Sequence, residues 1–209
     1  MKKVIKENKR YIILLVVITM VFIALKIINN FEAFTRFEMY IQKIFNEIRN
    51  PNYTKLLSIM SDLLGAYIPI IILVIMLLMF NKKVYFKVQF VSYMFTLFMT
   101  VLLKNVIQRQ RPTLELVSKM DIFSFPSGHT LTSFVFYYLL AYIMSVNYDK
   151  KTKISYNIIA TIIVSTVAMT RLYLGVHYIT DIIGGVLFGI IILKLIKNII
   201  KKKYERKLV

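Results

Sequence analysis

Apolar residues in this chain gather in runs close to 20 residues long, the length at which a helix crosses a hydrocarbon core of about 30 Å. Six such spans can be drawn, near residues 11–28, 60–80, 84–104, 130–147, 154–172 and 180–199. Neither an internal repeat nor a linker separates them. The expected fold is all-α, a six-transmembrane-helix bundle forming a single domain over residues 1–209. The second span carries Asp62 near one end and Pro69 in its first turns, so its membrane part is expected to begin near Leu63 or Leu64. Met1 to Arg10 is basic and precedes an apolar run, as in a secretion signal. The run is too long for one, and Ile27-Ile28-Asn29-Asn30-Phe31 offers no small-residue cleavage site, so an uncleaved first helix is expected.

The net charge of +18, from 28 Lys and Arg against 10 Asp and Glu, would suggest nucleic acid in a soluble protein. A chain that is 58% hydrophobic has little wet surface for such a partner, and the charge is distributed in another way. Eighteen basic residues lie in the N-terminal tail, the second and fourth connections and the C-terminal end, against nine in the odd connections and their flanks. By the positive-inside rule both termini are expected in the cytoplasm, in a multi-pass cell-membrane protein surrounded by lipid. With no cysteine, disulfides, thiolate metal sites and cysteine nucleophiles are excluded.

Between the first two spans, Phe31, Phe34, Phe37, Ile41, Ile44, Phe45 and Ile48 recur at three- and four-residue spacing, with Glu32, Arg36, Glu38, Lys43 and Glu47 between them. This pattern predicts an amphipathic interfacial helix, ended by Asn50-Pro51. Packing against the protein's own loops is the competing reading.

Three polar islands lie where spans stop, on or beside the connections expected to face outward. In the first, Lys104 and Arg111 share a helical face, and Pro112 biases Arg111 away from helix so that its guanidinium can swing inward. Together they could grip phosphate oxygens, by a point charge and a two-pronged fork. Two basic residues snorkelling from a helix end are the alternative, and Arg109, on another face, fits that alternative better. The second island, Pro126-Ser127-Gly128-His129, opens a helix whose first N–H groups would face an anion, with the Ser127 hydroxyl as a further donor and His129 as a proton carrier. A serine cap with a passenger histidine is equally consistent. In the third, Arg171 closes one helix while His177 and Asp181 open the next, four apart, so the carboxylate can hold one ring nitrogen and leave the other free to attack. Zinc would need a third ligand, for which only His129 offers itself among three cations, so neither a metal nor another cofactor is expected. Charges at the ends of spans rather than mid-span also argue against a transporter.

Lys-x6-Arg-Pro from Lys104, Pro-Ser-Gly-His from Pro126 and Arg-x5-His-x3-Asp from Arg171, in this order, resemble the type 2 phosphatidic acid phosphatase superfamily between Lys104 and Asp181. Thr170 stands where that family usually has serine. The resemblance implies a metal-independent membrane enzyme in which His177 forms a phosphohistidine, Asp181 orients it and His129 serves the leaving oxygen and then water. It also implies that Lys104, Arg111, Ser127, Gly128 and Arg171 hold the phosphoryl oxygens. The implied partner is a lipid phosphate such as phosphatidylglycerol phosphate, phosphatidic acid or undecaprenyl pyrophosphate, acted on at the extracytoplasmic face. Transfer to another lipid or sugar is an alternative to hydrolysis, and nothing in the sequence fixes the oligomeric state.

Overall fold

The computed structural model describes residues 31–79, 83–112 and 123–208, with positions 9, 13, 16, 17, 19 and 20. The expected first span, near 11–28, therefore lies almost wholly outside the described residues. The helices are α1 (Phe31–Glu47), α2 (Pro51–Asp62), α3 (Ile68–Met79), α4 (Lys83–Ile107), α5 (Gly128–Ser145), α6 (Lys150–Tyr173) and α7 (Ile179–Leu208). Among the described residues, four helical segments are long and apolar enough to cross a membrane: Pro51–Met79, Val84–Ile107, Lys150–Tyr173 and Ile179–Lys201. They match four of the expected spans.

The helix that carries the second span begins at Pro51, because α2 and α3 are one 29-residue rod joined through a π-helical turn, Leu63–Tyr67. Asn50 caps α2, its side chain accepting the Asn52 N–H, and Pro51 sits at the helix start where no N–H is needed. Further along, Pro69 has no N–H for the carbonyl four residues earlier and its ring would crowd it. The wider turn accommodates this. The Ile68 N–H reaches back five residues to the Leu63 carbonyl, and the Leu64 carbonyl accepts the Tyr137 hydroxyl at 2.7 Å.

Helix α5 coincides with the expected fourth span, yet it is not among the four segments picked out by length and composition. Its neighbours explain why. It packs against α4, α6 and α7, and buries Thr130, Thr132, Ser133, Phe134, Phe136, Tyr137 and Leu139 on all sides, so its residues meet protein and can carry hydroxyls. The surrounding helices turn Ile71, Val74, Leu78, Val91, Phe98, Ile158 and Ile162 outward, an apolar belt that hydrocarbon would cover.

Helix α1 docks by its polar stripe. Glu38 and Gln42 are buried, Thr35, Phe45 and Arg49 are half-buried on the same side, and Phe37, Ile44 and Ile48 face away from the protein. Arg49 then ties the α1–α2 turn to the end of α6, donating twice to the Tyr173 carbonyl at 3.0 and 3.1 Å. Chain direction places the C-terminal ends of α4 and α6 and the N-terminal ends of α5 and α7 together. Lys87, Lys150, Lys151 and Lys153 lie towards the opposite end.

Candidate active site

Each polar island is placed by a local break in helix. Helix α4 stops at Ile107, four residues before Arg111, so the expectation that Lys104 and Arg111 share a helical face is corrected: only Lys104 is on the helix. Gln108 adopts a left-handed conformation (φ 51°) with its N–H on the Lys104 carbonyl at 2.8 Å. This costs about 1–2 kcal/mol in a residue with a side chain. The next residues are drawn into extended pairing with the chain before α5: the Ser124 N–H donates to the Arg109 carbonyl at 2.8 Å and its hydroxyl to the Gln110 carbonyl at 3.0 Å. The turn sends Arg109 and Arg111 to different partners while Lys104 stays on the last turn of α4. Arg111 donates to the Val176 carbonyl at 2.6 Å, locking the first island to the third.

Ser127 is the N-cap of α5. Its hydroxyl oxygen accepts the Thr130 N–H at 3.4 Å and lies 3.0 Å from the Thr130 hydroxyl, and its own N–H donates to the Asp181 carbonyl at 3.0 Å. The residue is fully buried, and its hydroxyl serves the cap rather than standing in the open as a phosphate donor. Gly128 and His129 in the next positions do reach the cavity. In the third island α6 ends at Tyr173. Gly175 takes φ 69°, open to glycine without strain, and the chain reverses to present His177 just ahead of α7.

These turns converge on one cavity of about 350 Å³, lined by Lys104, Arg111, Arg171, Gly128, His129 and His177, with Ala66, Leu97 and Val101 on its apolar side. Three cations and both imidazoles of the chain thus share a single space. Arg171 is 1% exposed and Lys104 7%, so their charges act in a medium far less screening than water. Burial, with Arg171 and Arg111 nearby, pushes the His177 imidazole down to about 4, although Asp181 opposes the shift. The ring is neutral at physiological pH. Its Nδ1 faces Asp181 Oδ2 at 3.5 Å, longer than a strong hydrogen bond, and such contacts often tighten when substrate binds. Asp181 Oδ2 also accepts the Tyr178 N–H at 2.9 Å. With Nδ1 turned to the carboxylate, Nε2 is the nitrogen left for chemistry.

Three acidic and basic groups join the site that the motifs did not identify. Asp62 lies 3.3 Å from His129 Nε2 and 3.8 Å from Arg171, and Ser61 beside it accepts from Arg171 at 3.1 Å. An acid within an apolar run was the available signal for Asp62. Arg109 does not snorkel: it forms ion pairs with Glu38 at 2.5 Å and Asp181 at 2.7 Å, which corrects the reading of it as a solvated helix end. Glu38 comes from α1 and is 1% exposed. Thr170, at the departure from the family pattern, donates its hydroxyl to the Val167 carbonyl at 2.7 Å. Among the described residues no group of three His, Cys, Asp or Glu gathers as a metal site.

A family model described as the PAP2 superfamily matches residues 85–205, more than half of the chain. A phosphatidylglycerophosphatase B of Bacillus subtilis is 36% identical over 102 residues, covering 48% of this chain and 50% of that protein. A lipid phosphate phosphatase delta of Arabidopsis thaliana is 30% identical over 106 residues, covering 44% of this chain and 26% of its own length. The chain thus spans half or less of the length of these curated relatives. Among solved structures, the PAP2-type phosphatidylglycerolphosphate phosphatase of Bacillus subtilis superposes with a TM-score of 0.77 at 26% identity, covering 90% of this chain and 96% of that one. The LpxE of Aquifex aeolicus gives a TM-score of 0.58 at 22% identity, covering 77% and 94%, and shows a shared fold.

Proposed function

The chain belongs to the PAP2 superfamily, and from that premise we propose that it is a membrane lipid phosphatase working through a phosphohistidine. The observation that carries the proposal is the cavity in which Lys104, Arg111, Arg171, His129 and His177 meet. In the first step His177 Nε2 forms a bond to phosphorus as the bond from phosphorus to the leaving oxygen breaks, and His129 gives that oxygen a proton. In the second, water attacks phosphorus, His129 takes its proton, the nitrogen–phosphorus bond breaks and phosphate departs. The three cations and the first N–H groups of α5 carry the charge that builds on the equatorial oxygens, in the manner of phosphoryl transfer sites generally. Asp181 holds the His177 ring in place and balances the positive charge it acquires. Ser127 contributes by capping α5 and so fixing Gly128 and His129.

The walls of the cavity support a lipid phosphate as substrate. A charged end that suits phosphate adjoins an apolar side made by Ala66, Leu97 and Val101, which suits a headgroup whose tails stay among lipids. The named substrates of the Bacillus relatives make phosphatidylglycerol phosphate the first to assay, with phosphatidic acid and undecaprenyl pyrophosphate beside it. Phosphate release from this panel in detergent is expected for at least one lipid and is expected to persist in EDTA. His177→Ala should abolish both turnover and acid-labile labelling of the protein by radioactive substrate, whereas Thr170→Ser should change little. Full turnover by His177→Ala would overturn the mechanism. Label recovered on an acceptor lipid instead of in free phosphate would make the enzyme a phosphotransferase.

A further inference from the structure

Behind the nucleophile lies a chain of buried charge that reaches a different helix. Asp181 presents Oδ2 to His177, while its other oxygen, Oδ1, accepts Arg109 Nη1 at 2.7 Å. The same Nη1 lies 2.7 Å from the Thr180 hydroxyl, and Nη2 reaches Glu38 at 2.5 Å. Thr180 in turn donates to the second oxygen of Glu38, and the Tyr178 ring lies against the guanidinium at 4.2 Å. One turn further along α1, Gln42 donates to the His177 carbonyl at 2.8 Å. Asp181 is 0% and Glu38 1% exposed, so these are interior contacts, where removal of one partner leaves the other in an unfavourable state.

Charge counting gives the arrangement a purpose. His177 is neutral at rest and becomes cationic as Nε2 bonds to phosphorus, so the group behind it is most useful with its full negative charge. Arg109 alone beside Asp181 would cancel that charge. Glu38 on the far side of Arg109 neutralises the guanidinium, leaving one net negative charge across the three groups for His177.

We propose that Glu38 and Arg109 are positioning residues for the reaction, holding Asp181 and preserving its charge behind His177, so that α1 completes the active site from outside the three motifs. This rests on the assignment of His177 and Asp181 above. Neither residue touches the space in which phosphate would bind, so their effect should fall on kcat and leave KM within about threefold.

The test is a double-mutant cycle on the full-length protein, with phosphate release and phosphoenzyme formation both measured. Glu38→Gln, nearly isosteric, should lower kcat by about 10- to 100-fold, the range typical of misplacing a group that touches the chemistry. In an Asp181→Asn background the same change should have no further effect. Arg109→Lys, which keeps a cation between the carboxylates, should lose less than Arg109→Gln. Lys43→Gln, on the exposed side of the same helix, should behave as wild type. Wild-type kcat in Glu38→Gln, losses that simply multiply in the cycle, or equal losses in the two Arg109 variants would overturn the proposal. Wild-type kcat in Asp181→Asn would instead overturn the underlying assignment.

Discussion

At the scale of single residues, the cavity is lined by two histidines in different settings, and the chain contains no others. His177 is 1% exposed beneath two guanidinium groups, while the His129 side chain remains 27% exposed with a carboxylate at its Nε2. Burial lowers the His177 value to about 4 from the ordinary 6.5, so protonation is delayed to lower pH and the ring stays uncharged across the neutral range. An unfolded chain would take up that proton near 6.5. Acid therefore favours unfolding progressively between about 6.5 and 4, and above that window His177 contributes no pH dependence. With only two imidazoles, ¹⁵N-histidine NMR in micelles can follow each, assigned by a His129→Asn variant. The His177 ring should remain neutral down to about pH 5, and a midpoint at 6.5 or above would contradict its burial. Spacing along the chain singled out both histidines, Asp181 and three cations, and the histidines and cations among them line the cavity. It could not reveal Glu38 and Arg109 as partners, because they lie 71 positions apart and only the folded chain gives them a common environment.

Among the elements, the π-helical turn at Leu63–Tyr67 has the clearest local cause and the most direct link to the site. Pro69 removes one N–H from the ladder, the turn widens, and Gly65 comes to lie against His129. A Cβ at Gly65 would stand 2.5 Å from His129 Cδ2, a distance that forces the ring to move. Gly65→Ala should leave thermal stability nearly unchanged, since alanine favours helix and an imidazole can rotate. It should lower kcat by about 100-fold if His129 carries the proton as proposed, because a displacement of about 1 Å spoils that geometry. Measuring both quantities on one preparation separates these effects, and an alanine variant with wild-type kcat would free His129 from any dependence on this turn. Sequence patterning anticipated the helix after it, Ile68–Met79, because that apolar run is long, but not the helix before it, Pro51–Asp62, whose residues are mixed. The π turn was not legible, since the proline marks a disturbance without saying whether the chain will kink, widen or stop. For α1, periodicity found the helix but not how it docks: Glu38 and Gln42 turn towards the protein with Phe45 beside them, while Phe37 and Ile44 are exposed.

For the molecule as a whole, the arrangement of helix ends bears on which side of the membrane the reaction takes place. The cavity lies where α4 and α6 end and α5 and α7 begin, and the lysines of the opposite end, Lys87, Lys150, Lys151 and Lys153, belong to connections that the charge bias assigns to the cytoplasm. We infer an extracytoplasmic active site. The reasoning joins two independent facts, the distribution of charge along the sequence and the direction of each helix, and an error in either one would turn the site inward. Because the chain has no cysteine, single cysteines can report on this without a background. Asn52→Cys, at the exposed start of α2 on the cavity end, should react with a membrane-impermeant maleimide in intact cells. Lys151→Cys, exposed at the start of α6, should react only after permeabilisation. The reverse pattern would place the cavity in the cytoplasm, and substrates of the outer leaflet would then have to cross the bilayer before they could be hydrolysed.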